Sequence, residues 1–172
     1  MLVQLLGAGT ETTTSLIGRA ALQLALYPTL QRTLRERPEL TPPFLEEVLR
    51  FDGPFRFHYR SVTRDAELGG TRLPAGSSVL LMWAAANLDE SAIDHPAEFR
   101  LDRPIPKQHF GFGRGIHFCI EAPLARLEAR CTIDHLLRTT TDITLDPHRA
   151  PAYRPSIFLR RLGALPLNIS SR

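Results

Sequence analysis

The chain has little cysteine and no long apolar run. Cys119 and Cys131 are the only cysteines among its 172 residues. So few cysteines argue against a disulfide framework and are typical of a reducing cytoplasm. They form no CxxC pair, which excludes a zinc knuckle. The N-terminus lacks a basic stretch followed by a long apolar core, so we expect neither a signal peptide nor a membrane span.

The charge balance is only mildly basic. Lys and Arg number 21 against 18 Asp and Glu, which gives a formal net charge of +3 and a pI near 9.3. The basic residues are scattered, so the sequence predicts no nucleic-acid partner. A basic patch that meets an acidic protein suits this balance better. The length and the 43% hydrophobic share are sufficient for one domain with a core.

Hydrophobic periodicity predicts a mainly α-helical chain with small β-sheets. A first helix should run to Pro28, with residues 9–14 interrupting it because Gly and Thr are poor in helix interiors. A tolerated polar face is the alternative. Further helices are predicted at 29–36, after Pro42 and Pro43, at 83–88 and at 120–137. Strands are predicted within 60–82, with 79–82 buried, and at 143–145 and 157–169, and a long loop at 94–108.

Two of these helices have a predicted apolar side. In the first helix the apolar positions are Leu2, Leu5, Leu6, Leu16, Ile17, Ala20, Ala21 and Leu24. In the helix at 120–137 they are Leu124, Leu127, Cys131 and Leu136. These spacings are typical of helices that bury one face.

The segment before Ile120 carries the chemistry. In Phe112-Gly-Arg-Gly-Ile-His-Phe-Cys119, two glycines allow a sharp turn and close approach to a flat ligand. Cys119 comes at the start of a predicted helix, where free N–H groups and the positive helix end stabilise a thiolate. Such a thiolate can ligate a haem iron. The alternatives are a nucleophile with His117 as its base and a buried structural cysteine.

Four segments resemble, in order, the motifs of the cytochromes P-450, the haem-thiolate monooxygenases, in their bacterial soluble form. They are Ala8-Gly-Thr-Glu-Thr-Thr13, Glu47-Val-Leu-Arg50, Glu98-Phe99 followed by Arg103, and the loop that ends at Cys119. The resemblance covers almost the whole chain. It implies the C-terminal part of that fold, starting at the oxygen-binding helix, so residues 1–172 would form a single partial domain.

The resemblance assigns roles to individual residues. Glu11 and Thr12 would deliver protons to dioxygen in a site that excludes bulk water. Glu47, Arg50 and Arg103 would form a buried triad that supports the haem loop rather than a surface pair of little value. Cys119 would be the axial ligand of the haem iron. The residues expected to contact the haem are Arg60, Phe112, Gly113, Arg114, His117 and Cys119.

The implied reaction is insertion of one oxygen atom of O2 into a small organic substrate, in the cytoplasm. Electrons would come from NAD(P)H through a ferredoxin or flavodoxin. Arg114, Arg126 and Arg130 are candidates for a basic docking face, although a solvated helix face explains them equally well. Residues 55–59 and 157–158 are candidates for substrate contact, with core packing as the alternative.

Two features depart from the family pattern. Glu121 stands where the family has Gly or Ala, so we predict weaker haem retention or a lower reduction potential than in Glu121→Gly. The N-terminal portion of the fold is also expected to be absent, with Met1 a start inside a broken gene or the chain a fragment. The second hypothesis is therefore a non-catalytic remnant with weak or no haem binding. A hydrolase that uses Cys119 and His117 ranks below both.

Overall fold

The structure is a computed structural model that describes residues 2–104 and 107–172. It contains five α-helices and eight short strands among these residues. The helices are α1 (Leu2–Leu26), α2 (Pro28–Glu36), α3 (Thr41–Asp52), α4 (Trp83–Ala86) and α5 (Ala122–Thr139). The strands are β1 (His58–Ser61), β2 (Ala66–Leu68), β3 (Thr71–Leu73), β4 (Ser78–Leu81), β5 (Thr140–Leu145), β6 (Ala152–Tyr153), β7 (Leu162–Ala164) and β8 (Leu167–Ser171). The predicted fold class, mainly helical with small sheets, is confirmed.

Helix α1 is continuous through residues 9–14, so the poor helix formers in this stretch do not break it. The hydroxyls of Thr10 and Thr12 donate to the carbonyl oxygens of Leu6 and Ala8, each at 2.6 Å. These bonds satisfy the hydroxyls while the backbone stays helical, which is how threonine is accommodated inside a helix.

The helix ends at Leu26, and Pro28 opens α2, where a missing N–H costs little. The side chains of Leu2 and Leu5, two of the predicted apolar positions, lie outside the described part of the chain. Leu6, another predicted position, is exposed. None of the described helices is long and apolar enough to cross a bilayer.

The core lies where α1, α3 and α5 pack together. Its fully buried members include Leu24, Phe44, Val48, Ala129 and Ile133. Burying side chains of the larger kinds stabilises the fold by roughly 1.5–3 kcal/mol each. This three-helix core holds the start of α5, and with it the loop that ends at Cys119, in a defined position relative to α1.

Helix α5 packs through alanines in its first half and through larger apolar side chains toward its end. Its buried residues are Ala122, Ala125, Ala129, Ile133 and Leu137, which recur every three or four positions along one face. Leu124, Leu127 and Cys131 are exposed, and Leu136 is half-buried, so the predicted apolar side of this helix was wrong. Because the buried side chains near its start are small, the helix can approach α1 and α3 closely.

The strands form two-stranded antiparallel pairs within the described residues. Strand β1 pairs with β4, and β2 pairs with β3 through a turn at Gly69 and Gly70, both with positive φ. Strand β5 pairs with β8, and β6 with β7. The expected burial of β4 was wrong, because Leu80 is exposed and its neighbours Val79 and Leu81 are only half-buried. The predicted loop at 94–108 is irregular where described, and Ile105 and Pro106 lie outside the described residues.

Candidate functional site

A cavity of about 440 Å³ opens between α1 and the loop that ends at Cys119. Cavities of several hundred Å³ are large enough for cofactors and small ligands. Seven of the predicted site residues line it: Thr12, Arg60, Phe112, Gly113, Arg114, His117 and Cys119. The fold therefore brings α1, β1 and the cysteine loop around one space.

The cysteine loop is closed by its own backbone. Gly113 and Gly115 have φ values of 71° and 69°, a left-handed conformation that favours glycine. The Cys119 N–H donates to the carbonyl oxygen of Phe112 at 3.0 Å, which ties the two ends of the loop together. Helix α5 begins at Ala122 rather than at Ile120, so Cys119 lies just before its positive end, partly exposed to the cavity.

Three basic side chains face the cavity. Arg60, Arg114 and His117 line it, and no carboxylate of the described residues lies within 4.0 Å of either arginine. Arg60 donates to the carbonyl oxygen of Tyr59 at 2.8 Å, and the Arg114 guanidinium lies 5.6 Å from the Phe110 ring centroid. Their positive charge is available to an anionic group in the cavity.

Aromatic rings flank the β1 side of the cavity. Phe55 and His58 line it, and Phe158 contacts both, with ring centroids 5.1 and 5.2 Å away. Burial lowers the pKa of His58, and the nearby charge of Arg60 lowers it further, so this ring is neutral near pH 7. Ile157, the other C-terminal candidate for substrate contact, is exposed and lines a neighbouring groove instead.

The structure places the two predicted proton-relay residues differently. Thr12 lines the cavity with its hydroxyl bonded to Ala8, whereas Glu11 is not among the lining residues. The Glu11 carboxylate accepts a hydrogen bond from Arg161 at 2.5 Å and forms an ion pair with it. A carboxylate in this arrangement is held toward the C-terminal hairpin, which consists of β6 and β7, rather than toward the cavity.

Glu121 projects into the same space as the cavity lining. A Cβ placed on Gly9 of α1 would lie 2.9 Å from the Glu121 Oε2 atom. The Glu121 side chain thus reaches from the start of α5 to Gly9 in α1. A larger residue at position 9 would therefore have to displace the end of the flexible Glu121 side chain.

Glu47, Arg50 and Arg103 meet in a buried network outside the cavity. Arg50 donates to both Glu47 oxygens at 2.8 and 2.7 Å, and Arg103 Nε lies 2.9 Å from the same carboxylate. The remaining donors of both arginines reach backbone carbonyls in the segment 87–98, and the Arg100 N–H also bonds to Glu47. The network fixes the long loop against α3.

A second buried network escaped the sequence analysis. Glu46 accepts hydrogen bonds from Arg126 Nε at 2.6 Å and from His109 Nε2 at 2.9 Å. Burial alone would raise the pKa of Glu46, but these partners lower it to about 2. The Arg126 guanidinium lies 4.4 Å from the Phe112 ring centroid, so the network contacts the cysteine loop directly. The available signal was a glutamate within a run of apolar residues on α3, which must find partners when buried.

The residues around the cavity fit a haem. Cys119 offers a sulfur ligand, Phe112 an aromatic surface, and Gly113 a backbone that a flat ring can approach. Arg60 and Arg114 offer positive charge, and His117 a ring N–H, for the propionates of the haem. The carboxylate of Glu121 fits least well, because it brings negative charge to the cavity and occupies part of its space.

Residues 1–151 match the family model described as cytochrome P-450. The chain belongs to the cytochrome P-450 family. Members of this family bind haem and take electrons from NAD(P)H through redox partners. Cytochrome P-450 144 of Mycobacterium tuberculosis is 46% identical over 169 residues, which cover 98% of this chain and 38% of the relative. Cytochrome P-450 109 of Bacillus spizizenii is 39% identical over 169 residues, which cover 98% of this chain and 42% of the relative.

Solved structures of cytochromes P-450 have the same fold over this part of the chain. Cytochrome P-450 CYP150A6 of Mycobacterium marinum, in its substrate-free form, superposes with a TM-score of 0.94 at 37% identity, over 97% of this chain and 43% of that one. Cytochrome P-450 CYP109Q5 from Chondromyces apiculatus superposes with a TM-score of 0.91 at 41% identity, over 99% of this chain and 44% of that one. The chain spans about two-fifths of the length of the curated relatives that it matches. Its fold is that of the C-terminal portion of a cytochrome P-450.

Proposed function

We propose that this chain is the haem-ligating part of a cytochrome P-450 monooxygenase, with Cys119 as the axial ligand. The observation that carries the proposal is that Cys119 shares one cavity with Thr12 and with three basic side chains. Thiolate-ligated haem activates O2 for insertion of one oxygen atom into an organic substrate. The activity and the substrates of the whole enzyme are part of this proposal.

The loop residues position the sulfur. The bond from the Cys119 N–H to Phe112 holds the cysteine backbone, and the positive end of α5 favours the thiolate over the thiol. Arg60 and Arg114 would hold the propionates as cations and hydrogen-bond donors, and His117 would add a hydrogen bond from its ring. Glu47, Arg50 and Arg103 hold the long loop that leads to this segment.

Glu11 and Thr12 are proposed to move protons toward the cavity. The Thr12 hydroxyl lines the cavity and can hold a proton at Oγ1. The Glu11 carboxylate is half-exposed and can exchange protons with solvent when it leaves Arg161.

A ferredoxin or flavodoxin is the proposed electron donor, and the cytoplasm the proposed location. Exposed apolar side chains surround the cysteine loop, namely Ile116, Ile120, Leu124 and Leu127. Of the three arginines expected beside them, Arg126 is bound to Glu46 and Arg130 lies 3.4 Å from Asp134, while Arg114 is exposed. An apolar patch with the exposed Arg114 at its rim suits an acidic protein partner.

A non-catalytic remnant is the second candidate. The Glu121 side chain favours it, because a carboxylate that lines the same cavity as Cys119 opposes binding of an anionic haem. Nothing specific supports a Cys119 hydrolase, since no described carboxylate hydrogen-bonds to the ring of His117 to orient it as a base.

Haem titration of the purified chain tests the proposal. We expect saturable binding of one haem per chain, followed by absorbance, with the loss of sulfur ligation in Cys119→Ser. The control is Cys131→Ser, which alters the other cysteine on the exposed side of α5. No saturable binding by the wild-type chain would support the remnant. Identical spectra for the two serine variants would exclude Cys119 as the ligand.

A further inference from the structure

Four arginines surround a small cavity beside the C-terminal hairpin. Arg56, Arg154, Arg160 and Arg161, with Tyr153 and Leu159, line a space of about 150 Å³, which we call the arginine pocket. Its walls are fixed by backbone bonds. The Arg154 N–H donates to the Arg161 carbonyl at 3.1 Å, and the Arg160 N–H donates to the Pro54 carbonyl at 2.7 Å. The pocket is thus part of the folded framework.

A fifth arginine lies behind this pocket. The side chain of Arg19 in α1 is buried and forms an ion pair with Asp52. Its guanidinium also lies 5.2 Å from the ring centroid of Tyr153, which lines the pocket. Within the described chain, its Nε and Nη1 atoms have no hydrogen-bond partner. Burial lowers the pKa of Arg19 to about 10, and the charges of Arg160 and Arg56 contribute to the lowering.

The acidic groups nearby do not balance these charges. Asp52 pairs with Arg19 and also lies 3.1 Å from Arg160, and Glu11 pairs with Arg161. No described carboxylate lies within 4.0 Å of Arg56 or Arg154. Five guanidinium groups therefore meet two carboxylates, and the like charges repel one another unless an anion is added.

The chemistry of the pocket selects an oxyanion. Guanidinium groups donate pairs of hydrogen bonds that match the oxygen spacing of phosphate and carboxylate. The pocket is lined by different residues from the cavity that contains Cys119, and Pro54 and Phe55 lie between the two. We propose that the arginine pocket binds the oxyanion group, phosphate or carboxylate, of a small molecule.

Two sources can supply this group. Free phosphate fills the pocket alone. A carboxylate can instead be the head of an amphipathic acid, because Arg56 and Arg160 also line an adjoining groove with apolar walls that include Phe57, Met82 and Ile157. The proposal does not depend on haem binding, so it stands or fails independently of the function proposed above.

Calorimetric titration of the 172-residue chain tests the site. Helical content is first verified by circular dichroism. Inorganic phosphate and decanoate are then titrated separately at constant ionic strength, with chloride as the balancing anion. We expect saturable binding of at least one of them, weakened about tenfold or more in Arg154→Gln and in Arg56→Gln, because each removes a charge-assisted bond. Arg64→Gln, an exposed arginine outside the pocket, is the matched control and should bind as the wild type does.

The results of these titrations distinguish a free phosphate from the carboxylate of an amphipathic acid, and they can also contradict the proposal. Saturable phosphate binding without decanoate binding supports a free oxyanion in this pocket, and saturable decanoate binding supports the head group of an amphipathic acid. Absence of saturable binding by either anion contradicts the proposal. Equal weakening in Arg64→Gln and in the two pocket variants also contradicts it, because binding would then reflect net charge only.

Discussion

Removal of the Glu47 carboxylate should be the most damaging single change outside the cysteine loop. The Glu47 side chain is 3% exposed and its oxygens accept hydrogen bonds from Arg50, Arg103 and the Arg100 N–H. In Glu47→Ala the guanidinium groups of Arg50 and Arg103, 1% and 9% exposed, lose their only carboxylate partner among the described residues. Breaking a buried ion pair by removing one partner costs about 3–5 kcal/mol.

The backbone partners of the two arginines set where in this range the loss falls. Both arginines keep carbonyl oxygens in the segment 87–98, so the cost arises mainly from uncompensated charge and from four donors left without an acceptor. We expect a loss of about 4 kcal/mol in the free energy of unfolding. For a domain of this length that lowers the midpoint of thermal unfolding by about 8–16 °C.

Urea unfolding followed by circular dichroism measures this loss. The matched control is Glu39→Ala, since Glu39 pairs with Arg37 at 3.1 Å but both side chains are largely exposed, and the control should leave the midpoint almost unchanged. Glu47→Gln keeps the shape and loses the charge, so it should fall between the two. A loss below about 1 kcal/mol in Glu47→Ala would refute the reasoning.

Three further predictions concern the cysteine loop and its supports. Because the pKa of Glu46 is depressed to about 2, its ionised form contributes stability above the unfolded value of about 4.3. The stability advantage of the wild type over Glu46→Gln, measured by urea unfolding, should therefore decline as pH falls from 5 to 2; a constant difference would contradict this. Gly113→Ala should destabilise by about 1 kcal/mol at its positive φ, whereas Gly7→Ala in α1 should not, as thermal unfolding of both would show. Glu121→Gly should bind haem more tightly than the wild type in equilibrium titration, and equal affinity would remove the proposed conflict.

The motifs located the elements of the site well because each motif is local. The spacing of Glu47 and Arg50 puts both on one helix face, and the glycines around Cys119 predict its sharp loop. The prolines also indicated where α1 would end and near which residues α3 would begin. These are short-range properties, set by φ preference, missing N–H groups and helical periodicity.

The errors concern packing between distant segments. The apolar face of α5 was predicted from leucines, yet Ala125 and Ala129 are buried because small side chains permit close contact with α1 and α3. Arg19 pairs with Asp52, and Glu46 with Arg126, although the partners are far apart in sequence. No local sequence pattern predicts these ion pairs. Helix α1 also stays continuous through residues 9–14 although their intrinsic propensity is poor, because its C-terminal half is buried in the core against α3 and α5.

The absorption spectrum of the reduced, CO-bound chain tests the central claim most directly. If Cys119 is the axial thiolate of a haem in this cavity, the haem-loaded wild type and Cys131→Ser should both give a strongly red-shifted Soret band, and Cys119→Ser should not. Haem that binds without the red-shifted band in the wild type, or with it in Cys119→Ser, would contradict the account.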